Sequence, residues 1–219
     1  MELLQAPFVD RANFGGYLNS KNLLGDAVEV GTQRGVFASA LLSQWYGRIL
    51  FCVDPWADLR EYREQAETLH DRGATRDDDM AEARRLLDSQ ECSRNKYSFV
   101  RLRSFEAAIR FDRESLDFVY LDGNHYPAEV WKDLATWWPK VKPGGILAGH
   151  DVVCPGEIKS WGRGIQEMLF RFADGMKLDV QLVVELKSLP WSFLIEKPNN
   201  DRPDDDRLKF WKELEMKSA

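Results

Sequence analysis

Five short runs of the chain are apolar almost without interruption: Ala27 to Val30, Ile49 to Val53, Phe99 to Leu102, Phe118 to Leu121 and Ile146 to Ala148. A strand with one wet face alternates apolar and polar residues. A strand apolar at successive positions is covered on both faces, as in a parallel sheet packed between helices. Stripes of 3.6-residue period lie between the runs. Phe37, Ala38, Leu41, Leu42 and Trp45 make one, Val130, Leu134, Trp137 and Trp138 a second, and Ile158, Trp161, Ile165, Met168, Leu169 and Phe172 a third. Pro139 and Pro143-Gly144-Gly145 stop the second helix before the next strand. Strand and helix alternate, so the fold class is α/β, with right-handed crossovers. Two later runs, Val180 to Val184 and Ser192 to Ile195, are too close for a helical crossover and predict an antiparallel hairpin at one edge. The expectation is a seven-stranded, mostly parallel sheet with helices on both faces.

The 219 residues, 44% of them hydrophobic, suffice for one core without disulfide or metal. Lys+Arg 30 against Asp+Glu 36 leaves a net charge of −6, the wrong sign for a nucleic-acid partner. No apolar run approaches the roughly 20 residues of a membrane helix. The opening MELLQAPFVDR lacks the basic and apolar regions of a signal peptide. Three cysteines, Cys52, Cys92 and Cys154, form an odd, sparse set that suits a reducing compartment, so the expected location is cytoplasmic.

Two segments break the rhythm. Residues 57–97 are nearly half charged and read as one or two inserted surface helices, either a solvated decoration or a lid or substrate wall. Residues 1–197 form the main domain. An acidic linker follows from Pro198 to Arg207, and Leu208, Trp211 and Leu214 then mark a short C-terminal helix docking on this chain or on a partner. That helix and the edge hairpin permit a homodimer without requiring one.

Glu29, Gly31 and Gly35 define an E-x-G-x-x-x-G turn between the first long strand and its helix. Ligands of open parallel sheets bind outside the carboxyl ends of strands, where glycine lets the backbone approach closely. Asp54 ends the next strand, about 20 residues on, where an acid accepts ribose hydroxyls. Trp56 nearby can wall an adenine or a substrate. A dinucleotide turn wants G-x-G-x-x-G, and Gln33 stands where its second glycine would admit a pyrophosphate. The turn therefore suits a nucleoside without phosphates.

The chain resembles the class I S-adenosylmethionine-dependent methyltransferases, and within them the subgroup of macrocin-type (macrolide-sugar) O-methyltransferases. The resemblance runs from about Asn13 to Lys197 and is strongest in Asp117 to Asp151. It implies a Rossmann-like fold with S-adenosylmethionine as cofactor. It also implies Glu29 near the methionine end, Gly31 and Gly35 shaping the pocket, Asp54 on the ribose and Ser104 beside the adenine. Asp122 belongs to the same cofactor pocket.

Two buried strands deliver Asp122, Asn124 and His125, and His150 and Asp151, to one sheet edge, about 4.8 Å apart. Two roles stay open. Asp122 and Asp151, with His150, can hold a divalent metal such as Mg or Mn that acidifies a substrate hydroxyl. Metal-dependent relatives have an acid where this chain has His150. Alternatively, His125, matching the D-x-x-H of the sugar O-methyltransferases, is the general base, with Asp122 as the second catalytic residue. The expected reaction is methyl transfer to a hydroxyl of a small molecule of sugar, polyketide or phenol type. Other readings are a metal-dependent enzyme of different chemistry, a non-catalytic binding protein and an NAD oxidoreductase, against which the missing second glycine and the absence of a Tyr-x-x-x-Lys pair argue.

Overall fold

The computed structural model describes residues 1–57, 76–89, 96–152, 162–184 and 190–199, with 207, 209, 210 and 212. The strands are β1 (Leu3–Gln5), β2 (Asp26–Val30), β3 (Ile49–Val53), β4 (Tyr97–Val100), β5 (Leu116–Leu121), β6 (Val141–Val152), β7 (Val180–Val183) and β8 (Trp191–Glu196). The helices are α1 (Phe14–Ser20), α2 (Val36–Gln44), α3 (Arg76–Asp88), α4 (Ser104–Ala108), α5 (Pro127–Trp137) and α6 (Gly162–Gly175). The strands form a single sheet in the order β1-β7-β8-β6-β5-β2-β3-β4. All neighbours are parallel except β8, which is antiparallel to both β6 and β7. The α/β class, the parallel sheet and the antiparallel hairpin are as expected.

The sheet has eight strands and not seven. The extra one, β1, pairs in parallel with β7, so the hairpin lies one strand in from the edge. Its three residues are all exposed, and so short a strand carries no buried apolar run to read.

Successive residues of the central strands face opposite layers. Val28, Val30, Val119, Leu121 and Leu147 pack with Trp131, Leu134, Trp137 and Phe172 under α5 and α6. Ala27, Cys52, Phe118, Tyr120 and Ile146 pack with Phe14, Leu18, Phe37 and Leu41 under α1 and α2. Phe37 stacks on Tyr120 with ring centroids 3.7 Å apart.

Part of the expected insertion proves to be a core element. Helix α3 is the crossover that a parallel β3–β4 pair requires, and it buries Asp79, Ala83 and Leu87. Its high charge hid a narrow apolar stripe. Residues 58–75 and 90–95, including His70 and Cys92, lie outside the described residues, as do Cys154, Trp161, Leu208, Trp211 and Leu214. Of the C-terminal helix, Phe210 is described, packing edge-on against Trp131 with centroids 5.9 Å apart. Among the described residues, no helix is long and apolar enough to cross a membrane.

Candidate active site

The chain runs outward from β2 through β3 to β4, then returns to place β5 on the other side of β2. Strand order reverses between β2 and β5, and open α/β sheets bind ligands outside the carboxyl ends of the strands at such a point. The glycine turn leaves β2 at this point. Gly31 adopts φ +88°, and a Cβ there would overlap the Asp122 carbonyl of the loop after β5. The two backbones are joined by the Asp122 N–H, which donates to Val30 O at 2.8 Å. Gly35, at φ +75°, opens α2.

Asp54 ties the two neighbouring turns together. Its Oδ2 accepts the Gln33 N–H at 3.0 Å and its Oδ1 the Trp56 N–H at 2.7 Å. Burial raises its pKa. Gln33 and Trp56 sit at φ +46° and +38°, a region that L-residues rarely occupy. Trp56 is no wall of the site. It is 1% exposed, donates from Nε1 to Gln33 O at 2.8 Å and packs edge-on against Phe99.

Glu29 is buried and faces Thr32 and the Ala38 N–H at the start of α2; burial, then the charges of Asp122 and Asp54, push its pKa up to about 8. Its Oε2 has no hydrogen-bond partner. Ser104 opens α4 with its hydroxyl already engaged. It donates to Asp133 Oδ1 and accepts the Trp137 Nε1–H at 2.8 Å.

The polar cluster expected after β5 and β6 does converge. His125 Nε2 lies 2.8 Å from Asp151 Oδ2, and His150 Nδ1 lies 3.2 Å from Asp151 Oδ1. His150 Nδ1 is also 4.0 Å from Asp122 Oδ1. A β-bulge aims Asp151. Gly149 pairs with Phe193 and Val152 with Trp191, so two residues of β6 oppose one of β8, and Asp151 takes φ +65°. Ligand atoms of Asp122, His125 and Asp151 all lie within 4.8 Å of one another. They line a small cleft together with Leu121, Leu134 and Ile165.

The charges in this cluster are interdependent. Burial and the Asp151 charge push Asp122 up to about 6, against the pull of His150, Arg11 and His125. Burial works against the charged form of Asp151, but hydrogen bonds from His125 and His150 outweigh it and hold the carboxyl well below its usual range. Burial lowers His125, yet the Asp151 hydrogen bond and the charges of Asp151 and Asp122 leave it above its ordinary value.

Two residues of the site lie outside the motifs. Arg11, in a 3-10 turn before α1, brings Nη1 to 3.6 Å from Asp122 Oδ2. Nothing local marks it, because chain folding alone carries the N-terminal segment there. Asp133 lines the cleft from α5, and burial pushes its pKa up to about 7. Its signal was present: it stands three residues after Val130 and four before Trp137, an acid on an apolar stripe.

A fold of this topology, with a glycine turn and a polar cluster at the carboxyl ends of its strands, is Rossmann-like. The family model described as "Methyltransferase domain" matches residues 28–152, more than half of the chain, and the chain belongs to that family. No curated protein matches it in sequence. Among solved structures, it is similar to the O-methyltransferase TomG from Streptomyces achromogenes, involved in tomaymycin synthesis and solved with S-adenosylmethionine. The identity is 15%, the TM-score 0.59, and 86% of this chain and 79% of that one are covered. An O-methyltransferase from Bacillus cereus, in complex with S-adenosylhomocysteine, is similar at 14% identity and TM-score 0.57, covering 89% and 84%. A methyltransferase from Geobacter sulfurreducens is similar at 14% identity and TM-score 0.55, covering 88% and 81%. Likeness at this level of identity is likeness of fold.

Proposed function

We propose that the protein transfers the methyl group of S-adenosylmethionine to a hydroxyl of a small molecule, as a relative of the macrocin-type O-methyltransferases. The observation that carries this reading is the His125–Asp151 pair, 2.8 Å apart, held beside Asp122 at the switch point. The residues fit the cofactor. The turn accommodates a nucleoside without a pyrophosphate. Asp54 has spent one acceptor site on each oxygen and keeps others for ribose hydroxyls.

Bound S-adenosylmethionine supplies an electrophilic methyl group. The chain's own task is to orient the acceptor hydroxyl and take its proton. His125 takes that proton, and Asp151, ionised at neutral pH, orients the imidazole and stabilises the imidazolium that forms. Orientation in the cleft supplies several kcal/mol of the barrier reduction.

A second reading rests on the same cluster. Two carboxylates and an imidazole within 4.8 Å suit a divalent cation, which would acidify the hydroxyl directly. An imidazole among the ligands shifts the site away from Mg towards a metal that tolerates nitrogen.

The test is the thermal midpoint of the metal-stripped protein alone, with S-adenosylhomocysteine and with NAD. A ligand at about 100 times its dissociation constant adds about 2.7 kcal/mol, several degrees for this size. A rise with S-adenosylhomocysteine alone is expected. A rise with NAD alone, or none, would overturn the assignment.

A further inference from the structure

Helix α3 is tied to both turns that would carry the cofactor. Arg34, in the glycine turn, places Nε 2.7 Å from Asp79 Oδ1. Asp79 is 1% exposed, and Arg76 Nη1 approaches its other oxygen at 3.8 Å. One turn further along α3, buried Ala83 lies under Gly35, where a Cβ would stand 3.2 Å from the alanine methyl. The acid turn is held from the same helix. Asp77 Oδ1 is 2.7 Å from Arg101 Nη2, which also donates to Trp56 O at 2.8 Å. Arg101 Nε donates to Pro55 O at 3.3 Å.

These contacts are poor devices for stability. The Arg34–Asp79 pair is half-buried, and desolvation of Asp79 offsets much of the attraction, so it gains little over an apolar pair of the same volume. The Asp77–Arg101 pair is exposed and adds little. Their effect is on geometry. Gln33 and Trp56 occupy strained backbone conformations, which persist only where surrounding contacts over-determine them. The α3 contacts reach both: Asp79 holds Arg34 next to Gln33, and Asp77 holds Arg101, which donates to the carbonyls of Trp56 itself and of Pro55 before it.

We propose that α3 is a clamp on the cofactor site, with Asp79 positioning the glycine turn through Arg34 and Asp77 positioning the Asp54 turn through Arg101. This role presupposes the S-adenosylmethionine reading given above. It makes these four residues positioning residues and gives the charged segment a function at the site.

The experiment is calorimetric titration of S-adenosylhomocysteine into the full-length protein and its variants, with the ligand-free thermal midpoint of each. Asp79→Asn and Arg34→Met should each weaken binding about tenfold, and the double variant should lose no more than either alone, as expected of one coupled pair. Arg34→Lys, which keeps a cation opposite Asp79, should bind within about threefold of the parent. Arg101→Gln should weaken binding about fivefold while the protein stays folded, since its pair with Asp77 is exposed and adds little stability. It carries the test if Asp79→Asn does not fold. The clamp is overturned if the folded variants bind like the parent, or if Arg34→Lys loses as much as Arg34→Met. A parent protein that does not bind S-adenosylhomocysteine overturns the cofactor reading, and the clamp with it.

Discussion

At the scale of single residues, His125, Asp151 and Gly31 each do something a neighbouring residue type could not. On the proposed mechanism, replacing His125 by Ala removes the proton acceptor and leaves the turns around Asp54 untouched. Turnover should fall by about 10²- to 10⁴-fold, with S-adenosylhomocysteine affinity nearly unchanged by calorimetry. Normal turnover with a hydroxyl acceptor would end the assignment of the base. Asp151→Asn tests the pair from the other side. Burial lowers the imidazole pKa and Asp151 raises it, so losing that charge lets the pKa drop. The acidic limb of the rate profile should then move to lower pH. Gly31→Ala combines a positive φ with a clash against the Asp122 backbone. It should cost roughly 3 kcal/mol or more, read as a fall in the denaturant midpoint.

At the scale of elements, the tie between α4 and α5 is the clearest case. Ser104 bridges Asp133 and Trp137, and the Asp133 carboxyl keeps its proton up to about pH 7. The same carboxyl in the unfolded chain ionises near about 4. Between those values the folded state binds more protons, so this group makes stability fall as pH rises from about 4 to about 7. Asp133→Asn keeps an acceptor for Ser104 and cannot ionise. Denaturant melts of this variant should show a shallower decline across that window. An unchanged slope would mean that Asp133 is ionised in the folded protein. The elements themselves were legible where packing repeats: the buried strands β2, β3 and β5 read correctly because both their faces are covered. Helix α3 was legible as a helix but not as a core element, since Asp77, Asp78 and Asp79 at its start outweigh Ala83 and Leu87 in any average along the sequence. The role of Asp79 depends on Arg34, 45 residues earlier.

At the scale of the whole molecule, the order of the strands makes the site. Asp122 and Asp151 end adjacent strands, and His125 reaches Asp151 from the loop after β5. If the cluster holds a cation in solution, Mn²⁺ should raise the thermal midpoint of the metal-stripped protein, and Asp122→Asn should abolish that rise. An absent Mn²⁺ shift beside an intact S-adenosylhomocysteine shift would favour His125 acting as base without metal.

Local pattern by itself determined the α/β class, the parallel core strands, the hairpin and the motif residues Gly31, Asp54, Asp122, His125 and Asp151. Each of these is written in residues close together in the chain, through periodicity, turn chemistry or the end of a buried run. Tertiary structure decided the rest. It added β1, whose pairing depends on a strand some 175 residues away. It turned Asp151 into the cleft through a bulge that exists only against β8. It buried Trp56, engaged Ser104 with Asp133, brought Arg11 beside Asp122 and set α3 against the glycine turn. Each of those facts belongs to a pair of residues distant in sequence, and no periodicity along one segment encodes such a pair.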